Sequence, residues 1–507
     1  MRLKLRSVGI DSQEPVVILN EDDCLTMGVD VNDKVKVDFG RTMIMSVLIS
    51  DHPKQKGYVT VPASLMDKCI IGEDVYADVE YSPLPESVRG IKKKINGGSL
   101  SREEIDSIVR DIQEGALTAQ EILSFVSAFN INNTDISEVA DLTRSMAATG
   151  KTVAFGSDDV YDFHSLGGVP GNKITPIVVS IVASKGLLIP KLSSRAISSA
   201  CGTSDYVETF CDVELDTDSL ITAVNSAGGV FACGNVDYAP VGKEIIRAEK
   251  PMGIDPRPMM LASIMSKKVA LGIRHLLTDI PMGKGSKIES LSEAEDYARD
   301  IIALGKELGM RIECVVTNAD QPVGMTIGPI LEAKECIRAL ETGTGDPSLI
   351  EKACSMAGIL LEMSGITDGK AEAERILKSG LAHRKFLEIV RVQGGSGDLR
   401  SNDLNPGMIV KDVHAKRDGY VQYVDNQCMV AIARGAGSPS DKGAGIEMLH
   451  KRGDYVKEGD VLFRIYAENQ AKSDRAAESA RSRRPMYVAP SEPEVHFSGM
   501  VISRISN

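Results

Sequence analysis

The sequence predicts an α/β protein laid out in four stretches, β, then α, then α/β, then β. Three observations carry that reading. Residues 1–84 hold short β-branched runs separated by Gly, Asp and Asn. From Ser101 the apolar residues recur at helical spacing behind a capping box. Between residues 150 and 400 short apolar runs alternate with helical patterns, the order expected of a mainly parallel sheet covered by helices.

In chain order, Val16–Leu19, Val35–Val37, Ile44–Ile49 and Tyr58–Val61 read as strands of an N-terminal β domain over 1–84. Ser82-Pro83-Leu84-Pro85 reads as a linker, because proline continues neither regular structure. Helices are expected from the Ser101–Glu104 capping box through Ile105, Ile108, Val109 and Ile112, then over Thr118–Phe129 and Asp135–Ala148. In the α/β stretch, assigned to 156–404, Val153–Phe155, Gly229–Ala232, Ile273–Leu277 and Ile312–Val316 are strand-like, while Ile174–Lys185, Leu291–Leu308 and Ile330–Leu340 are helical. A small C-terminal β domain over 405–470 is expected from Val421–Val424, Met429–Ile432 and Val461–Ile465. Residues 471–507, rich in Arg and Ser at the start, read as a polar tail, exposed or flexible.

The chain of 507 residues carries 58 Lys+Arg against 71 Asp+Glu, a formal net charge of −13, which argues against a general nucleic-acid binder. It leaves a local anion site open, because a cluster of cations can override the net field. No apolar run reaches the ~18 residues that span a bilayer, and the N-terminus has no apolar core of a secretory signal, so a cytoplasmic setting is expected. The nine cysteines are scattered, without the spacing of a zinc site, and no metal site is expected. Cys201, in a polar stretch, is the best placed to act as a nucleophile, although a small buried thiol is the simpler reading.

Four segments could hold an anion. Asp162–Lys173, with His164, Ser165 and the pair Gly167-Gly168, precedes a helix, where backbone N–H groups and a helix N-terminus favour negative charge. A tight turn packing helix on strand is the competing reading. Ser193–Asp205 combines hydroxyls with Arg195, whose fork can grip two phosphate oxygens. Asp255 stands in a proline-flanked turn, and Ser263 and Lys267 share a helix face at i and i+4. A helix N-cap for Asp255 and a solvated side chain for Lys267 fit equally well. Lys284 and Lys287 add a basic glycine-containing loop. The phosphate loop and dinucleotide fingerprints are both absent, which disfavours ATP and NAD chemistry.

Ser193-Ser194-Arg195-Ala196-Ile197, then Ala200-Cys201-Gly202-Thr203, Asp205 and Val207-Glu208, resembles the signature of the thymidine/pyrimidine-nucleoside phosphorylase family. His164-Ser165 with Gly167-Gly168, Ala262–Lys268 and Thr317–Gly324 follow in the family's order. The likeness covers roughly residues 90–470. The added N-terminal β domain and Gly167-Gly168-Val169-Pro170-Gly171-Asn172-Lys173 make the chain most similar to the family's AMP-cleaving branch. Two positions depart from the wider family: Phe163 replaces a lysine that would contact phosphate, and Cys201 stands where Gly or Ala is usual.

The resemblance implies a helical domain (85–155 with part of 235–270) facing a mainly parallel α/β domain across a cleft, and a C-terminal domain like a barrel-sandwich hybrid. It implies phosphorolysis of AMP, CMP or UMP by inorganic phosphate to free base and ribose 1,5-bisphosphate, without a cofactor, in a homo-oligomer. Asp255 is then the proton donor. Gly168, Ser194, Arg195, Ala196, Ile197, Ser198, Ser199, Thr203, Ser263 and Lys287 contact the ligand, with His164, Ser165 and Lys267 as further candidates. Three alternatives stay open: a pyrimidine-nucleoside phosphorylase, a Mg²⁺-dependent phosphoribosyltransferase of the anthranilate type, and a non-catalytic nucleotide-binding assembly protein. Lys442 resembles a lipoyl attachment site, but its flanks do not match one.

Overall fold

The computed structural model describes residues 1–10, 12, 15–65, 75–132, 134–196, 199–234, 237–254, 256–494 and 499–506. The chain divides into two compact units, Met1–Thr152 with Val236–Ala270, and Val153–Asn235 with Leu271–Asn507.

The first unit begins with a closed barrel of β1 (Arg2–Val8), β2 (Val16–Asn20), β3 (Lys34–Asp38), β4 (Thr42–Ser50), β5 (Tyr58–Pro62) and β6 (Tyr76–Tyr81), in the order β1-β5-β2-β4-β3-β6. Each strand turns alternate residues inward: Leu3 and Leu5, Val17 and Leu19, Val35 and Val37, Met45 and Val47, Val59 and Val61, Ala77 and Val79. This period of two is the pleat expressed in sequence. Helix α1 (Glu21–Met27) follows β2. Four helices come next: α2 (Ser87–Ile95), α3 (Arg102–Gln113), α4 (Ala119–Ile131) and α5 (Ile136–Ala148). Reciprocal capping boxes at Ser101/Glu104 and Thr118/Glu121 start α3 and α4. A buried ion pair, Lys94 to Glu138 at 2.8 Å, ties α2 to α5.

The second unit carries α6 (Thr175–Ala183), α7 (Thr203–Val207) and α8 (Thr217–Ala227); the chain then returns to the first unit for α9 (Val241–Glu249) and α10 (Arg257–Ala270). Its sheet runs β19-β11-β10-β7, from β7 (Tyr161–Ser165), β10 (His275–Met282), β11 (Arg311–Asn318) and β19 (Val501–Ile505). The first three are parallel; β19 is antiparallel to β11. Strands β8 (Ile189–Ser193) and β9 (Gly229–Cys233) form a parallel pair, and a parallel bridge, Val160 to Leu188, joins it to β7. Helices α11 (Leu291–Glu307), α12 (Pro329–Thr342), α13 (Pro347–Met363), α14 (Gly369–Lys378) and α15 (Leu381–Val392) complete this part. Every residue of α6 is buried, which explains its unbroken apolar run.

The C-terminal part of this unit holds two small sheets. One is β12-β15-β17-β13 and the other β16-β14-β18, built from β12 (Thr326–Ile327), β13 (Ile409–His414), β14 (Gly419–Val424), β15 (Gly445–Met448), β16 (Tyr455–Val456), β17 (Val461–Ala467) and β18 (Met486–Ala489).

Three sequence expectations are corrected here. Met429–Ile432 is helix, inside α16 (Asn426–Ala436), where Asp425 caps the Cys428 N–H at 2.8 Å and Met429, Ile432, Ala433 and Ala436 are buried at helical spacing. A four-residue apolar run is ambiguous by itself, and the cap decides it. Residues 471–507 are not a polar tail. Gln470–Arg483 is α17, capped by Asn469, with Ser473, Ala476, Ala477 and Ala480 buried along one face; β18 then pairs with β14, and β19 joins the main sheet. A stripe of small residues hides in a sequence counted by polarity. Val153 and Phe155 are buried but belong to no strand.

Candidate active site

In the second unit, β7, β10 and β11 run parallel to one another, as do β8 and β9, and the residues after β7, β8, β10 and β11 are 166–174, 194–196 with 199–202, 283–288 and 319–325. The carboxyl edge of a parallel sheet is where open α/β folds take their ligands. Two of the loops meet. Gly168 holds φ +91°, and a Cβ there would stand 2.9 Å from the Lys287 backbone nitrogen, so the predicted site residues Gly168 and Lys287 are brought together and no side chain fits between them.

The Ser-rich loop folds back on itself. Asp205, buried at the start of α7, accepts from the backbone N–H groups of Ala196 (2.7 Å) and Gly202 (2.8 Å), and the Ser204 N–H reaches the Ser194 carbonyl at 3.3 Å. A Cβ on Gly202 would lie 2.6 Å from that carbonyl oxygen. Ser194 is exposed, Ser199 is half-buried, and Thr203 opens α7. Ile197, Ser198 and Asp255 lie outside the described residues. Ser199 Oγ donates to the Cys201 carbonyl at 3.3 Å, and Arg434 of α16 donates to the Ser199 carbonyl at 2.9 Å, so the C-terminal part supports this loop.

Two expected cations are already engaged. The Arg195 guanidinium is clamped by Glu214 at 2.8 Å and by Glu208, which also binds Lys442. Its fork is held by carboxylates in this structure. These ion pairs also account for Lys442 without a lipoyl group. Lys173 is fully buried, 2.9 Å from Glu335 and 2.8 Å from the Val323 carbonyl, so it contributes structure instead of an exposed anion contact. Lys284 and Lys287 are exposed on their loop. His164 and Ser165 stand half-buried at the end of β7, with Ser165 Oγ 2.7 Å from Asp279. Phe163 is buried, and the Lys191 amine lies 4.8 Å from its ring centroid, a cation–π contact. In the first unit, Ser263 and Lys267 lie half-buried on α10.

Beneath the Ser-rich loop sits a buried acid. Burial pushes the Glu332 carboxyl up to about 7, against the pull of Lys173 and of the Gly328 N–H at 3.0 Å. Desolvation, then Glu332 and Asp205, push the Cys201 thiol well above its usual range, which removes it as a nucleophile. Raised from 4.5 to about 7 on folding, Glu332 favours the folded state most below pH 4.5 and loses that contribution as pH climbs through about 7. The loss amounts to roughly 3 kcal/mol at most. Glu332→Gln is therefore expected to be more stable than the parent by about 1–3 kcal/mol near pH 8, with the difference vanishing near pH 4.5, as urea unfolding at the two pH values measures.

Glu214, Arg434 and Asp279 were missed from the sequence, and Asp205 and Glu208 stood in the quoted signature without a role. Only Asp205 had a local signal, the spacing of a capping residue three positions after Gly202.

The comparisons agree with this architecture. The description "Glycosyl transferase family, a/b domain" matches residues 157–383, its helical bundle domain 89–150, and "Pyrimidine nucleoside phosphorylase C-terminal domain" 420–486. A solved anthranilate phosphoribosyltransferase from Thermus thermophilus shares the fold at TM-score 0.51 and 18% identity, covering 60% of this chain and 99% of its own. The AMP phosphorylase of Thermococcus kodakarensis is 43% identical over 100% of both chains, that of Pyrococcus furiosus 42% over 100% of both, and that of Methanocaldococcus jannaschii 40% over 99% of each. With identity of 40–43% running from end to end of both chains, this chain belongs to the AMP phosphorylase family.

Proposed function

We propose that this chain cleaves nucleoside 5′-monophosphates, AMP first and CMP and UMP with it, using inorganic phosphate as co-substrate and no cofactor. A phosphate oxygen forms a bond to C1′ while the C1′–N bond breaks, its electron pair leaving with the base. The products are free base and ribose 1,5-bisphosphate. The observation that carries this reading is the full-length likeness to relatives named AMP phosphorylase. In this reading Gly168, Ser194, Arg195, Ala196, Ile197, Ser198, Ser199, Thr203, Ser263 and Lys287 contact the ligand, with His164, Ser165 and Lys267 as further candidates. Asp255 supplies the proton that turns the departing base into a neutral leaving group.

A homo-oligomer in the cytoplasm belongs to the same reading; the eight described cysteines are all unpaired thiols, which suits a reducing compartment. The test incubates the protein with AMP, CMP, UMP, uridine or thymidine plus phosphate, with and without chelator, and identifies the sugar by ³¹P NMR. Ribose 1,5-bisphosphate from the nucleotides, insensitive to chelator, is expected. Ribose 1-phosphate from nucleosides would shift the activity to a pyrimidine-nucleoside phosphorylase, the reading favoured by the match over 420–486. AMP binding without turnover would leave a binding protein.

A further inference from the structure

One helix of the C-terminal part reaches three of the segments that follow the parallel strands. At the start of α16, the Asn426 side-chain amide donates to the Ala319 carbonyl at 2.7 Å, and the Gln427 amide to the Gly285 carbonyl at 3.4 Å. In its last turn, Arg434 donates to the Ser199 carbonyl at 2.9 Å. Gln427 and Arg434 stand at i and i+7, about two turns apart, so they share one face of the helix.

Two further observations seat the Ser-rich loop on this helix. Ala200 is 1% exposed and packs in the same apolar cluster as Met429, Ile432, Ala433 and Ala436 of α16. Lys442, in the turn between α16 and β15, binds Glu208 just past α7. The helix is itself held at both ends: Asp425 caps its start, and Arg475 of α17 donates to the Gly435 carbonyl at 3.1 Å. What α16 grips on the loops is backbone. Because a peptide is planar and trans, a held carbonyl also fixes the plane that carries the next N–H group. Arg434 and Gln427 are exposed, and an exposed hydrogen bond adds little net stability, since water readily replaces it. Their effect therefore falls on the loops they touch.

We propose that α16 is a positioning element for the ligand site, with Arg434 setting the Ser-rich loop and Gln427 setting the loop of Lys287. The inference rests on the reading that these loops receive the nucleotide and phosphate. Neither residue touches the reacting atoms. The C-terminal part thereby governs substrate affinity through the backbone of the loops.

The experiment uses the full chain as parent, Arg434→Ala, Arg434→Lys and Gln427→Ala. Hydrogen exchange of the ligand-free proteins is followed by mass spectrometry. The N–H groups of Ala196, Gly202 and Ser204 are hydrogen-bonded and report opening of the Ser-rich loop. In Arg434→Ala, exchange over 194–204 is expected to quicken about 10-fold, with β10 and α13 unchanged. The KM for AMP or phosphate is expected to rise about 10-fold with kcat within about 3-fold, because a loosely set loop weakens ground state and transition state alike. Arg434→Lys, which keeps a cationic donor, is expected to restore both readouts. Gln427→Ala is expected to quicken exchange over 283–288 and to leave 194–204 as in the parent. A raised KM with unchanged exchange would overturn the proposal by making Arg434 a ligand contact. Quickened exchange with unchanged KM would overturn it by making the bond purely structural. Equal quickening across the second unit would overturn it too, by making the helix a prop of the whole fold. If the parent binds both ligands without turnover, the proposed function fails, and calorimetric affinities for AMP and inorganic phosphate take the place of KM.

Discussion

Asp255→Asn is expected to lower turnover with AMP on the order of 10²-fold or more while AMP still binds. Phosphate can displace a nucleobase only if the base accepts the electron pair of the breaking C1′–N bond, and an anionic purine or pyrimidine does so poorly. Protonation of the base as the bond stretches removes that difficulty, and a side chain that gives its proton in the transition state acts on kcat more than on binding. Asparagine has nearly the shape of aspartic acid and donates a hydrogen bond, but it has no proton to transfer. Two measurements separate this role from mere positioning. AMP affinity by calorimetry should stay close to the parent. A ribosyl 5-phosphate whose leaving group departs without protonation, such as p-nitrophenolate, should lose far less rate than AMP. Unchanged turnover of AMP would remove Asp255 as the acid.

Lys352→Met is expected to be the most destabilising of the substitutions considered, at about 3–5 kcal/mol, because it strands the Asp279 carboxylate, which lies 2.8 Å from the Lys352 amine and has no access to water. Asp279 would retain Thr317 and Ser165 as donors, which compensate part of the loss and not the charge. Removing both partners, as Asp279→Leu with Lys352→Met, takes away the stranded charge and is expected to recover most of the stability. Urea unfolding of the single and double variants measures the difference, with the slope of the transition reporting whether the folded state is otherwise intact. A single variant within about 1 kcal/mol of the parent, or a double variant as unstable as the single, would contradict this account of the pair.

The contrast between Lys352 and Asp205 shows where sequence reading reached its limit. Asp205 follows Gly202 by three residues, so its capping geometry is local and could be read in advance. Lys352 lies among Leu349, Ala353, Met356 and Leu360 of α13, all fully buried, and a lysine in that stripe is a visible anomaly. Nothing near it in sequence names Asp279 as its partner. The same holds for Lys173 and Glu335, and for Arg195 and Glu214. From the sequence, Lys173 and Arg195 looked available to an anion.

The sequence by itself therefore determined what depends on neighbours along the chain. Short β-branched runs marked four of the six barrel strands, the capping boxes started α3 and α4, and the glycines and serines marked the loops that end β7, β8 and β10. The tertiary structure alone decided what depends on neighbours in space. It turned Met429–Ile432 and the segment after Gln470 into packed helices, seated β19 on the central sheet, and assigned each buried cation its carboxylate. The physical reason is range. Backbone periodicity and capping act over three or four residues. Burial and ion pairing act over a few ångströms between segments that only the fold brings together.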